Sequence, residues 1–226
     1  MIERTLWHPV ALGHAIGTQP RGVQLLGEAL VLWRDAQGAA HAWADQCPHR
    51  GARLSMGRVH AGQLECPYHG WRFAAGGQCT HIPAVPDFQP GARHAARPFA
   101  TREAYGMLWV RLTEPEGTPG PLHELPAFAA EAEPRLRKTT SGPYLVQASA
   151  PRIIENFLDM AHFGYVHEGF LGSREQPEIP PYQARPRRTA CAPPAAAPGS
   201  RARRSTPRAA PRSNTPTRST PPTWRC

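Results

Sequence analysis

Cys47-Pro-His49-Arg-Gly51 and Cys66-Pro-Tyr-His69-Gly70-Trp71 are the two stretches on which the reading of this chain turns. Sixteen residues separate His49 from Cys66, so the two Cys/His pairs occupy different loops. Pro and Gly punctuate both stretches, the composition of tight turns. Thiolates suit iron–sulfur clusters or zinc, and a neutral imidazole suits either, so two such loops can converge on one metal centre. Gly51 and Gly70 let backbone N–H groups come close to the sulfurs where a side chain would block them.

The residues around these loops read as short strands. Val23-Gln-Leu-Leu and Ala29-Leu-Val-Leu-Trp33 are strand-like, and Asp35-Ala-Gln-Gly38 turns the chain into His41-Ala-Trp-Ala. Gln63-Leu-Glu-Cys and Trp71-Arg-Phe form a further strand region with a hairpin at Ala75-Gly-Gly77, and Tyr105 to Leu112 is another strand. Short strands, Gly-rich turns and no helical period predict a small antiparallel β domain over residues 5–112. Residues 113–142 are rich in Pro, Glu and Gly and read as a linker.

Beyond the linker the pattern changes. Tyr144 to Ser149 is a candidate strand, and from Pro151 the apolar spacing Ile153, Ile154, Phe157, Leu158, Ala161 predicts a helix ending near Gly164. On that helix Asp159 and His162 share a face, and His167 folds back beyond the glycine. Two His with a carboxylate from elsewhere make the facial set of non-haem Fe(II) oxygenases, with positions left open for O2 and substrate. Standing alone, two histidines near a helix end equally suit a capping or surface role.

Charge divides the chain. Of 26 Lys and Arg, ten Arg lie in residues 184–226, which hold no acidic residue, so the first 183 carry 16 basic against 17 acidic groups. The +9 net charge therefore belongs to the tail, and the remainder is a near-neutral globular sequence. The tail has nine Pro, nine Ala and only Trp224 as a sizeable apolar group, so it cannot offset the entropy of ordering and is expected to be disordered. A nucleic-acid partner is not expected, because the Arg residues lack interleaved aromatics and a companion fold. With no apolar run of about 18 residues and no signal-like N-terminus, no membrane association is expected. Five Cys in 226 residues, three near histidines, point to metal ligation in a reducing cytoplasm rather than to disulfides. Cys79 is left over and reads as a buried apolar residue.

The paired loops resemble the Rieske domain of the ring-hydroxylating oxygenases, the vanillate demethylase group among them. In such a centre two Cys hold one iron of a [2Fe-2S] cluster and two His hold the other. The resemblance makes Cys47, His49, Cys66 and His69 the cluster ligands. Respiratory Rieske proteins add a disulfide across these loops, but the corresponding positions here resemble Ala52 and Tyr68, and Trp71 stands where that class offers a hydroxyl. Fewer donors to the sulfurs imply a lower potential, as in the oxygenase or ferredoxin type. Asn156-x-x-Asp159-x-x-His162-x-x-x-x-His167 is similar to the mononuclear-iron motif of the same family. It implies His162 and His167 as iron ligands. It implies Asp159 as the catalytic bridging carboxylate between His162 and the cluster-bound His69 of a neighbouring subunit.

The fold class expected is therefore α+β: an antiparallel Rieske [2Fe-2S] domain, then the first part of a helix-grip catalytic domain over residues 143–183, then the tail. After about Gln183 the resemblance stops, and the family's third iron ligand, an Asp or Glu, has no counterpart in the acid-free segment. The expectation is that the tail is an out-of-register translation and that the mononuclear Fe(II) is weakly held. The function implied is an oxygenase component of a Rieske non-haem iron system. A flavin/iron–sulfur reductase, or a ferredoxin, brings electrons from NAD(P)H through the cluster to Fe(II). There O2 is activated for hydroxylation or O-demethylation of an aromatic-type substrate, in a homotrimer if the catalytic domain is complete. An electron-transfer-only Rieske protein and a zinc-binding structural domain are the competing readings.

Overall fold

The computed structural model describes residues 2–118 and 120–183; the tail expectation for 184–226 lies outside the described residues. Ten strands make two antiparallel sheets. β1 (His8–Leu12), β2 (Arg21–Leu25), β3 (Glu28–Arg34), β4 (Ala40–Ala44), β9 (Pro98–Ala104) and β10 (Met107–Arg111) form the larger, in the order β1-β10-β9-β4-β3-β2. β5 (Arg58–His60), β6 (Gln63–Glu65), β7 (Arg72–Phe73) and β8 (Cys79–His81) form the smaller, in sequence order.

The apolar run in β3 shows how the core is built. Successive side chains on a strand point to opposite faces, and here both faces are covered. Val31 and Trp33 pack with Trp43, Leu54, Leu64, Phe73, Cys47 and Cys66, the core shared with the small sheet. Leu30 and Leu32 pack with Ala42, Phe99, Leu108 and Val110, a second core formed by the large sheet around its own inner face. Cross-strand pairing keeps this sorting: Leu32 faces Ala42, Val31 faces Trp43, and Leu64 faces Phe73. Fully burying each of these large side chains stabilises the fold by roughly 1.5–3 kcal/mol.

The segment 113–142 contains short 3-10 turns at Pro121–His123 and Ala129–Ala132. Its first half is tied to the large sheet. Arg111 donates to the His123 carbonyl, Arg102 pairs with Glu124, and the Tyr105 hydroxyl donates to the Pro126 carbonyl. Trp7 lies against the guanidiniums of Arg102 and Arg111, at 5.1 and 4.7 Å from its ring centre.

Three expectations are corrected. Tyr144 to Ser149 forms no strand; it is exposed, with no neighbouring strand to pair with among the described residues. The helix expected to run to Gly164 is α1 (Ala150–Leu158), and a separate short turn of helix, α2 (Phe163–Val166), follows. Asp159 and His162 therefore do not share a helix face. Asp159 caps α1 in extended backbone, and its Oδ1 accepts the Ala161 N–H at 2.7 Å. That local bond competes with helix continuation, the usual effect of Asp at such a place. Finally, Tyr105-Gly106 is the positive-φ turn between β9 and β10, not the start of a strand.

Candidate metal centre

Two loops carry the candidate ligands, and their backbones repeat one another. The first leaves β4; the second joins β6 to β7. In the first, Cys47 N–H donates to Ala52 O (2.8 Å) and Gly51 N–H donates to Cys47 O (2.9 Å). In the second, Cys66 N–H donates to Trp71 O (2.9 Å) and Gly70 N–H donates to Cys66 O (3.1 Å). Each cysteine thus starts a five-residue turn closed at both ends. Each turn needs a left-handed residue four places on, supplied by Gly51 (φ +72°) and Gly70 (φ +69°).

The four side chains meet as two pairs. Cys47 and Cys66 are each 2 % exposed and lie in the same core. Burial pushes the Cys47 thiol up to about 12, with the neighbouring Cys66 adding to the rise and the His49 and Arg50 backbone N–H groups opposing it. Those two N–H groups already point at the sulfur. His49 and His69 are exposed, with their Nδ1 atoms 3.1 Å apart. Local desolvation, together with the nearby His69 and Arg50, holds the His49 imidazole below its ordinary value. Trp71 stacks on His49 at 4.6 Å and 5° between planes, and Tyr68 stacks on His69 at 3.8 Å. These two aromatic rings fix the imidazole planes. Cys79 is a buried core residue, as expected, and burial raises its thiol.

Two buried carboxylates support the loops, and sequence reasoning missed both. Asp45, two places before Cys47, accepts from the Ser55 N–H (2.7 Å) and hydroxyl (2.6 Å), closing the first loop at its base. Glu65, just before Cys66, takes Arg58 at 2.8 Å and Arg72 at 2.9 Å. These three are cross-strand partners in one row, Arg58↔Glu65↔Arg72. Burial opposes ionisation of Glu65, but the two guanidiniums outweigh it and hold the carboxyl below the usual range. An acidic residue one or two places ahead of each candidate ligand cysteine was the signal available in the sequence.

The second candidate set lies after α1. Asp159 Oδ2 is 3.3 Å from His162 Nδ1, so an Nδ1–H donating there leaves Nε2 free as the donor to a metal. The hydrogen bond from Ala161 N–H, together with His162, keeps Asp159 below its ordinary value. The His162 and His167 rings lie 5.2 Å apart, joined by the one helical turn of α2, whose Tyr165 and Val166 N–H groups bond to the His162 carbonyl. Glu168, a carboxylate nearby in sequence, is paired with Arg174. Among the described residues, no three His, Cys, Asp or Glu side chains gather round one point.

Residues 6–96 match the Rieske [2Fe-2S] domain family, and residues 146–190 match the vanillate O-demethylase oxygenase C-terminal domain. Fold and paired loops together thus define an iron–sulfur domain of the Rieske class. The segment after the linker is similar to the C-terminal domain of the vanillate O-demethylase oxygenases, and the relatives that the chain resembles over both segments are oxygenase subunits of Rieske non-haem iron systems. It is 36 % identical over 186 residues to the methylxanthine N1-demethylase NdmA of Pseudomonas putida, covering 78 % of this chain and 52 % of NdmA. The structure of Pseudomonas putida CBB5 NdmA with caffeine superposes with a TM-score of 0.70 at 34 % identity, over 78 % of this chain and 52 % of NdmA. The oxidoreductase NdmD of Pseudomonas putida is 42 % identical over 96 residues, 42 % of this chain and 16 % of NdmD. The chain spans about half the length of NdmA.

The donor chemistry fits a [2Fe-2S] cluster: two buried sulfurs, the Cys47 one faced by backbone N–H groups, and two imidazoles turning the same nitrogen toward each other. The second set fits two positions of a facial iron site, with one imidazole already oriented by a carboxylate. Among the described residues, no helix is long and apolar enough to cross a membrane.

Proposed function

We propose that this chain is the oxygenase component of a Rieske non-haem iron system acting on an aromatic-type substrate by hydroxylation or O-demethylation. The observation that carries this reading is the presence of two distinct metal-holding sets on one chain: the paired loops at 47–52 and 66–71, and the Asp159–His162–His167 group. When bound, a [2Fe-2S] cluster supplies one-electron transfer and a mononuclear Fe(II) supplies O2 activation.

The protein's own residues do the holding and orienting. Cys47 and Cys66, buried in the core away from water, would hold one iron of the cluster, and His49 and His69, whose Nδ1 atoms face each other at the surface, would hold the other. Trp71 and Tyr68 keep the two imidazole planes in place. His162 and His167 would hold the mononuclear iron, and Asp159 keeps the proton on His162 Nδ1, fixing its tautomer and raising its basicity. The Asp159 carboxylate remains about half exposed beside its bonds to Ala161 and His162, which suits an added contact with His69 of a neighbouring subunit, so a homotrimer is the assembly proposed. Electrons come from NAD(P)H through a separate flavin/iron–sulfur reductase or a ferredoxin, in the cytoplasm.

A second reading, electron transfer alone, is favoured by two observations. The Asp159 group brings together two imidazoles rather than three ligands, and NdmD, an oxidoreductase, shares a stretch no longer than a Rieske domain. Iron counting with EPR on the full chain, reconstituted without oxygen, separates them. Under the oxygenase reading a rhombic signal accompanies two tightly held irons per chain, and a third binds weakly on adding ferrous salt and is lost in His162→Ala. Two irons whatever the ferrous concentration favour the carrier, and colourless protein holding zinc overturns both.

A further inference from the structure

Asp45 and Glu65 are the buried charged side chains of the described fold, at 7 % and 9 % exposure, and each sits just ahead of a candidate ligand cysteine, Asp45 two places before Cys47 and Glu65 one place before Cys66. They differ in what neutralises them. Glu65 has two guanidiniums, so its row carries net positive charge. Asp45 has only Ser55: one oxygen takes the Ser55 N–H, the other its hydroxyl, and the structure gives it no ion pair. Burying a charge without a counter-ion is costly, and two neutral donors offset only part of that cost. The position is also tightly built. A methyl placed on Gly22 of β2 would meet Ser55 Oγ at 3.1 Å and Asp45 Oδ2 at 3.7 Å, so β2 backs the pair directly. Backbone spacing of about 3.8 Å per residue puts the Asp45 Cα within roughly 8 Å of the Cys47 Cα.

We propose that Asp45 is a positioning residue that also holds the cluster's reduction potential down, by keeping an uncompensated negative charge fixed beside the first ligand loop. This rests on the Rieske reading above. Reduction adds an electron to the cluster, and a fixed carboxylate opposes that addition, whereas the cation-rich Glu65 row does not. At roughly 10 Å and an effective dielectric of about 20, the interaction changes the reduction equilibrium by about tenfold, or about 59 mV for one electron.

The test is a redox titration of the full chain with its cluster, followed by visible absorption and EPR. Asp45→Asn keeps the shape of the clamp and removes the charge, and its potential is expected to rise by about the tenfold equivalent. Ser55→Ala and Gly22→Ala disturb the clamp and leave the charge, so they are expected to speed cluster loss without that rise. The double variant Asp45→Asn/Ser55→Asp moves the charge across the hydrogen bond, and it is expected to restore the low potential. An unchanged potential in Asp45→Asn, or a high one in the double variant, overturns the proposal. So does loss of the cluster from both of these while Ser55→Ala retains it, since Asp45 is then only a folding element. If the unsubstituted chain takes up no cluster at all, the Rieske reading itself falls.

Discussion

A single methyl added at Gly57 is expected to be among the most damaging small changes in this fold. Its Cβ would stand 2.1 Å from the Glu65 carbonyl oxygen and 3.0 Å from that of Leu54. Ordinary contact begins near 3.4 Å, so one backbone segment must retreat by more than an ångström. Neither is free to do so. Leu54 O accepts the Gly57 N–H at 2.9 Å, and Glu65 is paired on both sides, with Arg58 of β5 and Arg72 of β7. Overpacking of this kind costs about 1–3 kcal/mol, and with backbone on both sides the upper figure applies. For a cooperative unit of about 100 residues each kcal/mol moves the melting temperature by roughly 4–8 °C, so Gly57→Ala should melt about 12–24 °C lower. The displaced residue directly precedes Cys66, so the visible absorption of the cluster should fade in the same transition. Circular dichroism and absorbance on the same heated sample measure both. Gly17→Ala is the control, because nothing lies within 4 Å of its new methyl. A Gly57→Ala melt within about 3 °C of the control would refute the packing argument.

Phe73→Ala empties a fully buried site between the two sheets and should cost about 3–5 kcal/mol in urea unfolding, with the m-value unchanged. The Arg34 hydrogen bond holds the Glu103 carboxyl below its ordinary value, partial burial opposing. Its contribution is therefore complete above about pH 4.3 and lost as pH falls through the lower folded value. Glu103→Gln should remove that slope, by less than about 1 kcal/mol for so exposed a pair, and a pH series of unfolding curves reads it. In metal-free folded protein, a Cys47 thiol at about 12 is about one part in ten thousand thiolate at pH 8, so iodoacetamide should leave it unmodified while urea exposes it. Peptide mapping by mass spectrometry decides that point.

What the sequence made legible follows from how strongly each segment is constrained. The cluster loops could be read because Cys, His, Pro and Gly at fixed spacing leave few other uses for those residues. β3 and β4 could be read because both faces are buried, giving runs such as Leu30-Val-Leu-Trp33. β9 was not, since it opens on Pro98 and only Phe99 is buried, with Thr101 half-buried and Arg102 and Glu103 exposed. β5, at three residues, is too short for any period to register. The end of α1 was misplaced because apolar spacing ignores what Asp159 does with its own side chain. Its bond to the Ala161 N–H stops the helix, yet still brings the carboxylate to His162. The candidate strand at Tyr144 needed a pairing partner from elsewhere, which local pattern cannot reveal. The Asp45 and Glu65 supports stayed hidden because a buried carboxylate looks in sequence like any surface one.

The ties from Arg102, Tyr105 and Arg111 to residues 123–126 change where a severable fragment should end. Cutting after Leu112, just past the last strand, would take away the His123 carbonyl and the Glu114 carboxylate and strand the Arg111 guanidinium on a newly wetted flank. A fragment carried on to Phe128, whose ring packs edge-on against Tyr105 at 5.8 Å, keeps that flank dressed. It also shortens the leash. Counted from Thr113 to Ser149 the chain could reach about 130 Å fully stretched, but counted from Ala129 only about 75 Å.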